Sequence, residues 1–100
     1  MTQRRHVLLC YDIADSTLLR RVHKTVRDFG RPLQYSVFAC RLTALDRARL
    51  EALLLDIIKS SEDQIVMIDL GRADRDDSAV PGARMLGLAE GGRCAGPVVL

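Results

Sequence analysis

The sequence predicts an α+β fold of the ferredoxin-like type, βαββαβ, with an additional C-terminal strand. Three observations lead there. Hydrophobic patterns alternate strand, helix, a run long enough for one strand or two, helix and strand over residues 6–71. Each helical stretch carries an apolar stripe, so two helices can cover one face of an antiparallel sheet. The chain has 100 residues, of which 48% are hydrophobic and 4% aromatic, enough for one aliphatic core but not for a deep enclosed pocket. The uncovered sheet face then needs a partner, and a second copy of the chain is the simplest one.

The first strand is read over residues 6–13. The continuous apolar run Val7-Leu8-Leu9-Cys10-Tyr11 suits a central strand buried on both faces. A helix follows from Ser16 to Phe29, with Leu18, Leu19, Val22, Val26 and Phe29 at helical spacing, and Gly30 and Pro32 as its stop signal. Arg20, Lys24 and Arg27 fall opposite the apolar stripe with Arg21 beside them, and His23 lies between the two faces. Residues 33–42 are rich in strand formers and form one long strand or two short ones kinked near Tyr35-Ser36. Thr43-Ala44-Leu45-Asp46 resembles a capping box, opening a second helix to Lys59 with Leu50, Leu53, Leu54, Ile57 and Ile58 as its core stripe. After the turn at residues 60–63, Gln64–Leu70 forms a strand closed by Gly71.

Residues 1–71 therefore make the core. Residues 72–100 hold six of the seven glycines and two of the three prolines if Gly71 is counted with them, which marks a variable loop with one short element near Arg84–Leu88. Pro97–Leu100 reads as a terminal strand seeking a partner's sheet edge, hence as part of a dimer interface.

Composition excludes several classes of function. No apolar run approaches the roughly 18 residues of a membrane span, and the apolar stretch after the basic N-terminus is too short for a signal sequence, so the chain reads as cytoplasmic. Three cysteines at 10, 40 and 94, with no Cys-x-x-Cys pair, argue against a disulfide framework or structural zinc. Cys10 and Cys40 are read as small core residues. The net charge of +2 conceals an asymmetry: residues 1–50 hold ten Lys/Arg against four Asp/Glu, and residues 51–100 hold five against nine. The basic half suits a polyanion.

Asp12 is the foremost candidate for chemistry. It stands where a strand meets solvent, the edge at which open sheets place ligands on a rigid scaffold. The alternative is a helix cap, but Asp15, Ser16 and Thr17 lie nearer the helix and can fill that role. His6 begins a strand and His23 is in mid-helix, so neither is well placed as a general base. The basic face of the first helix has two readings, a solvated surface and a phosphate-binding one.

The elements Cys10-Tyr11-Asp12-Ile13, Gln34-Tyr35-Ser36-Val37-Phe38 and Asp63-x-Ile65-x-Met67-Ile68-x-Leu70, in this order, closely resemble the small CRISPR-associated adaptation proteins of the Cas2 family. The resemblance implies a ferredoxin-like homodimer with facing sheets that binds duplex DNA and bridges subunits of the CRISPR integrase during spacer acquisition. It also implies a metal-dependent endonuclease, acting on RNA or double-stranded DNA, with Asp12 as catalytic residue and Mg2+ ligand. Single-stranded RNA is thus a second candidate substrate. Arg20, Arg21, Lys24, Arg27 and Arg31 are the expected phosphate contacts, and Tyr11, Ser36 and Phe38 the candidate substrate contacts, although a packed aromatic is the ordinary role for Phe38. Where the family often has arginine, this chain has Leu19 and Pro32, which removes two phosphate clamps and leaves the fold untouched. A toxin-type ribonuclease or a regulatory module outside CRISPR is the alternative reading.

One carboxylate is too few for Mg2+, which takes about six oxygens and usually one or two carboxylates. A two-fold axis that brings two Asp12 side chains together supplies the second.

Overall fold

In a computed structural model of the protein, residues 3–73 and 80–87 are described. The elements are β1 (Arg4–Asp12), α1 (Ser16–Arg27), β2 (Gly30–Gln34), β3 (Val37–Leu42), α2 (Ala44–Leu55) and β4 (Gln64–Ala73). The strands form one antiparallel sheet in the order β2-β3-β1-β4, the ferredoxin-like βαββαβ arrangement. β1 lies in the middle, paired with β3 on one side and β4 on the other, which makes it a stiff support for whatever its end carries.

Side chains alternate across the sheet with period two. Val7, Leu9 and Tyr11 of β1 and Phe38, Cys40 and Leu42 of β3 form one buried cluster with Val22 and Val26 of α1 and Leu50 and Leu54 of α2. Both helices therefore lie on one face. Leu8, Cys10, Val37 and Ala39 point to the other face and are half-buried, with Val66 and Ile68 of β4 more exposed beside them. The apolar run of β1 is thus not buried on both faces within one chain. Cys40 is a core residue, whereas Cys10 belongs to this outer face.

The helix starts are set by side-chain caps. Asp15 accepts the Leu18 N–H at 2.9 Å, and Thr43 accepts the Asp46 N–H at 3.0 Å, each satisfying a donor that no helical carbonyl can reach. Both helices end sooner than their apolar spacing suggests, α1 at Arg27 and α2 at Leu55. Phe29, Ile57 and Ile58 pack against the core from the turns that follow, continuing the pattern without continuing the helix. The split of residues 30–42 falls at Tyr35-Ser36, and the strand begins earlier than the sequence implies because Gly30, Arg31 and Pro32 already pair with β3. Pro32 is tolerated because β2 is at the sheet edge.

Two glycines have roles other than those expected. Gly30 does not stop α1 through left-handed backbone. It begins β2, and a Cβ there would lie 2.5 Å from Cys40 Sγ and 2.6 Å from the Ala39 carbonyl oxygen. Gly71 does not close β4. Its φ of +106° accommodates a bulge in which His6 pairs with Gly71 and Val7 with Asp69, so β4 runs on to Ala73. The Asp69 carboxylate accepts the Gly71 N–H at 2.8 Å and the Arg5 Nε at 2.7 Å, with Arg47 of α2 at 3.6 Å. Arg5 and the Gly71 N–H hold that carboxyl below its ordinary range.

Residues 84–87 contain neither helix nor strand. The rest of the expected short element and the terminal strand Pro97–Leu100 lie outside the described residues.

Candidate metal and nucleic-acid site

Asp12 is the last residue of β1 and is exposed. It pairs across the ladder with Gln64, the first residue of β4. Capping of α1 falls to Asp15, which leaves the Asp12 carboxylate outside the helix's own needs. The short link between β1 and α1 is tied down from elsewhere: Asp63, just before β4, accepts the Ala14 N–H on Oδ1 at 2.9 Å and the Lys59 N–H on Oδ2 at 2.8 Å. Those two donors hold the Asp63 carboxyl below its usual range.

Tyr11 is one residue away in sequence and on the opposite side of the sheet. It is buried, its ring is 6.2 Å from that of Phe38, and its hydroxyl lies 2.8 Å from His23 Nδ1 and 3.4 Å from the Tyr35 carbonyl oxygen. Burial pushes the Tyr11 phenol well above its ordinary pKa. His23 is buried rather than between faces, set edge-on to Phe38 at 5.3 Å, and its pKa is lowered first by burial and then by Arg27. Phe38 is fully buried. Within one chain, then, Tyr11 and Phe38 are core residues and do not share a surface with Asp12. Ser36 does sit at the Asp12 end, in the β2–β3 turn, where its carbonyl oxygen accepts the Tyr11 N–H at 3.1 Å.

The five expected phosphate contacts divide into two groups. Arg20, Arg21, Lys24 and Arg27 are all exposed on α1, opposite the buried Val22, His23 and Val26. Arg31 is also exposed, but it pairs with Ala39, whose side chain belongs to the outer face. There it lines a cleft of about 260 Å3 with His6, Gly30, Ala39, Arg41 and Val80. One straight run of phosphates along α1 does not include it.

Sequence reasoning overlooks Asp63 as a tie between two loops and Tyr11–His23 as a pair. The only signal for the first is an Asp in a turn, a residue type that often bonds nearby N–H groups. Nothing in spacing links Tyr11 to His23 before the helix is packed.

Comparison with known proteins adds to this geometry. The family model for CRISPR associated protein Cas2 matches residues 5–77. The chain belongs to the Cas2 family. Among curated relatives, it is 40% identical over 73 residues to CRISPR-associated endoribonuclease Cas2 1 of Rhodospirillum rubrum, covering 73% of this chain and 72% of that one. It is 39% identical over 67 residues to CRISPR-associated endoribonuclease Cas2 of Geobacter sulfurreducens, covering 67% and 70%. Among solved structures, Streptococcus pyogenes Cas2 at pH 6.5 superposes with a TM-score of 0.62 at 32% identity, over 66% of this chain and 86% of that one. The hypothetical protein TT1823 from Thermus thermophilus shares the fold, with a TM-score of 0.71 at 20% identity over 85% and 93%.

For a Cas2-family chain the fit to a divalent metal is a matter of donor count. Among the described residues no three His, Cys, Asp or Glu side chains converge, so these residues form no closed metal site by themselves. An exposed carboxylate such as Asp12 could contribute to a divalent ion only with further oxygens from outside these residues, such as water or phosphate. No helix among the described residues is long and apolar enough to cross a membrane.

Proposed function

We propose that this Cas2-family chain acts as a homodimer in CRISPR adaptation, binding duplex DNA along α1 and bridging integrase subunits during spacer acquisition. The observation that carries the reading is the pairing of an exposed Asp12, at the end of the central strand and relieved of capping by Asp15, with four exposed basic residues on the next helix. A fixed cationic row recognises the regular spacing of backbone phosphates and does not read bases, so binding should be independent of sequence.

In the proposed dimer the outer apolar faces meet, and the Asp12 side chains of the two copies would together hold one Mg2+. When bound, that ion orients water and polarises a phosphodiester. The chain's own part is to present two carboxylates on rigid strands, with Ser36 at the same end and the α1 cations drawing the nucleic acid in. The endoribonuclease names of the relatives from R. rubrum and G. sulfurreducens support RNA as a cleavage substrate beside duplex DNA. Leu19 and Pro32 stand where clamping arginines are common, so turnover is expected to be slow.

Spacer acquisition by a strain carrying Asp12→Ala separates the two activities. Acquisition that persists while cleavage is lost assigns the protein an architectural role. Acquisition lost in a variant with the α1 cations removed supports DNA holding, and acquisition retained in that variant overturns it.

A further inference from the structure

We infer that Asp63 is a positioning residue for Asp12. This role rests on the reading of Asp12 as the metal ligand and adds a buried carboxylate that touches neither metal nor substrate.

Asp63 is 9% exposed, and both of its oxygens are committed. Oδ2 accepts the Lys59 N–H in the loop four residues past the end of α2, a local bond within one turn, and the Asp63 N–H returns to the Lys59 carbonyl at 2.8 Å. Those two bonds are enough to close the turn. The bond to Oδ1 does something different, reaching across 49 residues of sequence to the Ala14 N–H. Ala14 is two residues beyond Asp12, past the last ladder pair of β1 and ahead of the Asp15 cap. The residue after Asp63 is Gln64, the cross-strand partner of Asp12. Asp63 thereby fixes the chain on both sides of Asp12, through the strand it introduces and through the link it grips.

An ionised acceptor bound to two backbone donors makes a stiffer joint than a neutral side chain would. Since an ion shared between two copies needs both carboxylates aimed at one point, the backbone that aims them must hold still. With both oxygens turned to N–H groups, Asp63 is not itself a spare ligand.

The test uses the full-length protein and two variants that break the same bond from opposite ends. Asp63→Ala removes both acceptor oxygens, and Ala14→Pro deletes the donor while keeping the Asp63 carboxylate. Metal-free 15N relaxation and amide exchange are measured first. Exchange broadening at Asp12 is expected in both variants, with amide exchange at Phe38 in the core unchanged. In Mn2+ titrations, paramagnetic broadening at Asp12 should then need roughly tenfold more metal than in the parent, the usual effect of losing a group that supports a ligand. If Asp12 is as ordered in both variants as in the parent, Asp63 is only a turn staple and the inference is overturned. If Asp12 loosens but the parent shows no broadening that Asp12→Asn abolishes, the positioning stands and the metal reading falls.

Discussion

The Tyr11 hydroxyl lies 2.8 Å from Nδ1 of His23, and this contact joins the basic helix to the strand that ends at Asp12. The hydroxyl also reaches the Tyr35 carbonyl at 3.4 Å, so β1, α1 and the β2–β3 turn meet at one polar point inside an apolar core. Replacing Tyr11 by Phe keeps the ring against Phe38 and leaves His23 Nδ1 without its partner. A loss of about 1–3 kcal/mol in urea unfolding is expected, the usual cost of a buried polar group left unpaired.

The burial of His23 gives a pH dependence. Burial and Arg27 lower the His23 pKa below the ordinary histidine value of 6.5, so the folded state binds its proton less readily than the unfolded one. Stability from this residue is therefore complete above the unfolded pKa and is lost as pH falls from there toward the folded value. Thermal melts should show a lower Tm about one unit below that ordinary value than one unit above it, the interval over which an unperturbed histidine changes charge. His23→Gln, which cannot titrate, should shrink the difference.

Gly30 supplies a test of packing. A methyl group there meets Cys40 Sγ and the Ala39 carbonyl, and the backbone oxygen cannot swing away. Gly30→Ala should destabilise by about 1–3 kcal/mol, the range for overpacked sites. Parent-like denaturation would mean that β2 shifts freely on β3.

The order of elements is legible in the sequence because apolar runs mark the strands and helical spacing marks the helices, and the capping residues Asp15 and Thr43 stand in plain view ahead of their helices. Helix ends are less legible. Phe29, Ile57 and Ile58 extend the apolar spacing into turns, and no local pattern distinguishes packing from a turn from packing on a helix. Gly30 and Gly71 read as stops because glycine signals several things at once. One is instead a close approach between strands, and the other a bulge at positive φ. At the candidate site, exposure of the α1 cations follows from helical periodicity, and that of Asp12 from its place at the end of an apolar run. The separation of Arg31 from them does not, because it depends on the register between β2 and β3.

That separation makes the proposed DNA surface testable in two parts. Arg20→Ala, Lys24→Ala and Arg27→Ala combined should flatten the salt dependence of duplex binding by nearly three units, at about 0.9 for each phosphate no longer neutralised. Arg31→Ala, on the outer face, should leave the slope unchanged. Fluorescence anisotropy between roughly 50 and 200 mM salt, the range over which phosphate binding weakens most visibly, reads both.

The outer face supplies a test of the proposed dimer. Leu8 pairs with Ile68 and Cys10 with Val66 across β1 and β4, and Ile68 is 42% exposed. If this face joins two copies, Ile68→Lys should move the protein from dimer to monomer in light scattering while its circular dichroism stays that of the parent. A variant that remains dimeric would place the interface elsewhere.

The most direct measurement is the stoichiometry of divalent metal on the parent and on Asp12→Asn, by equilibrium dialysis with Mn2+ in place of Mg2+. Two Asp12 carboxylates sharing one ion require one ion for every two chains, with that binding lost in the variant. One ion per chain, or equal binding by parent and variant, would contradict the shared Asp12 site.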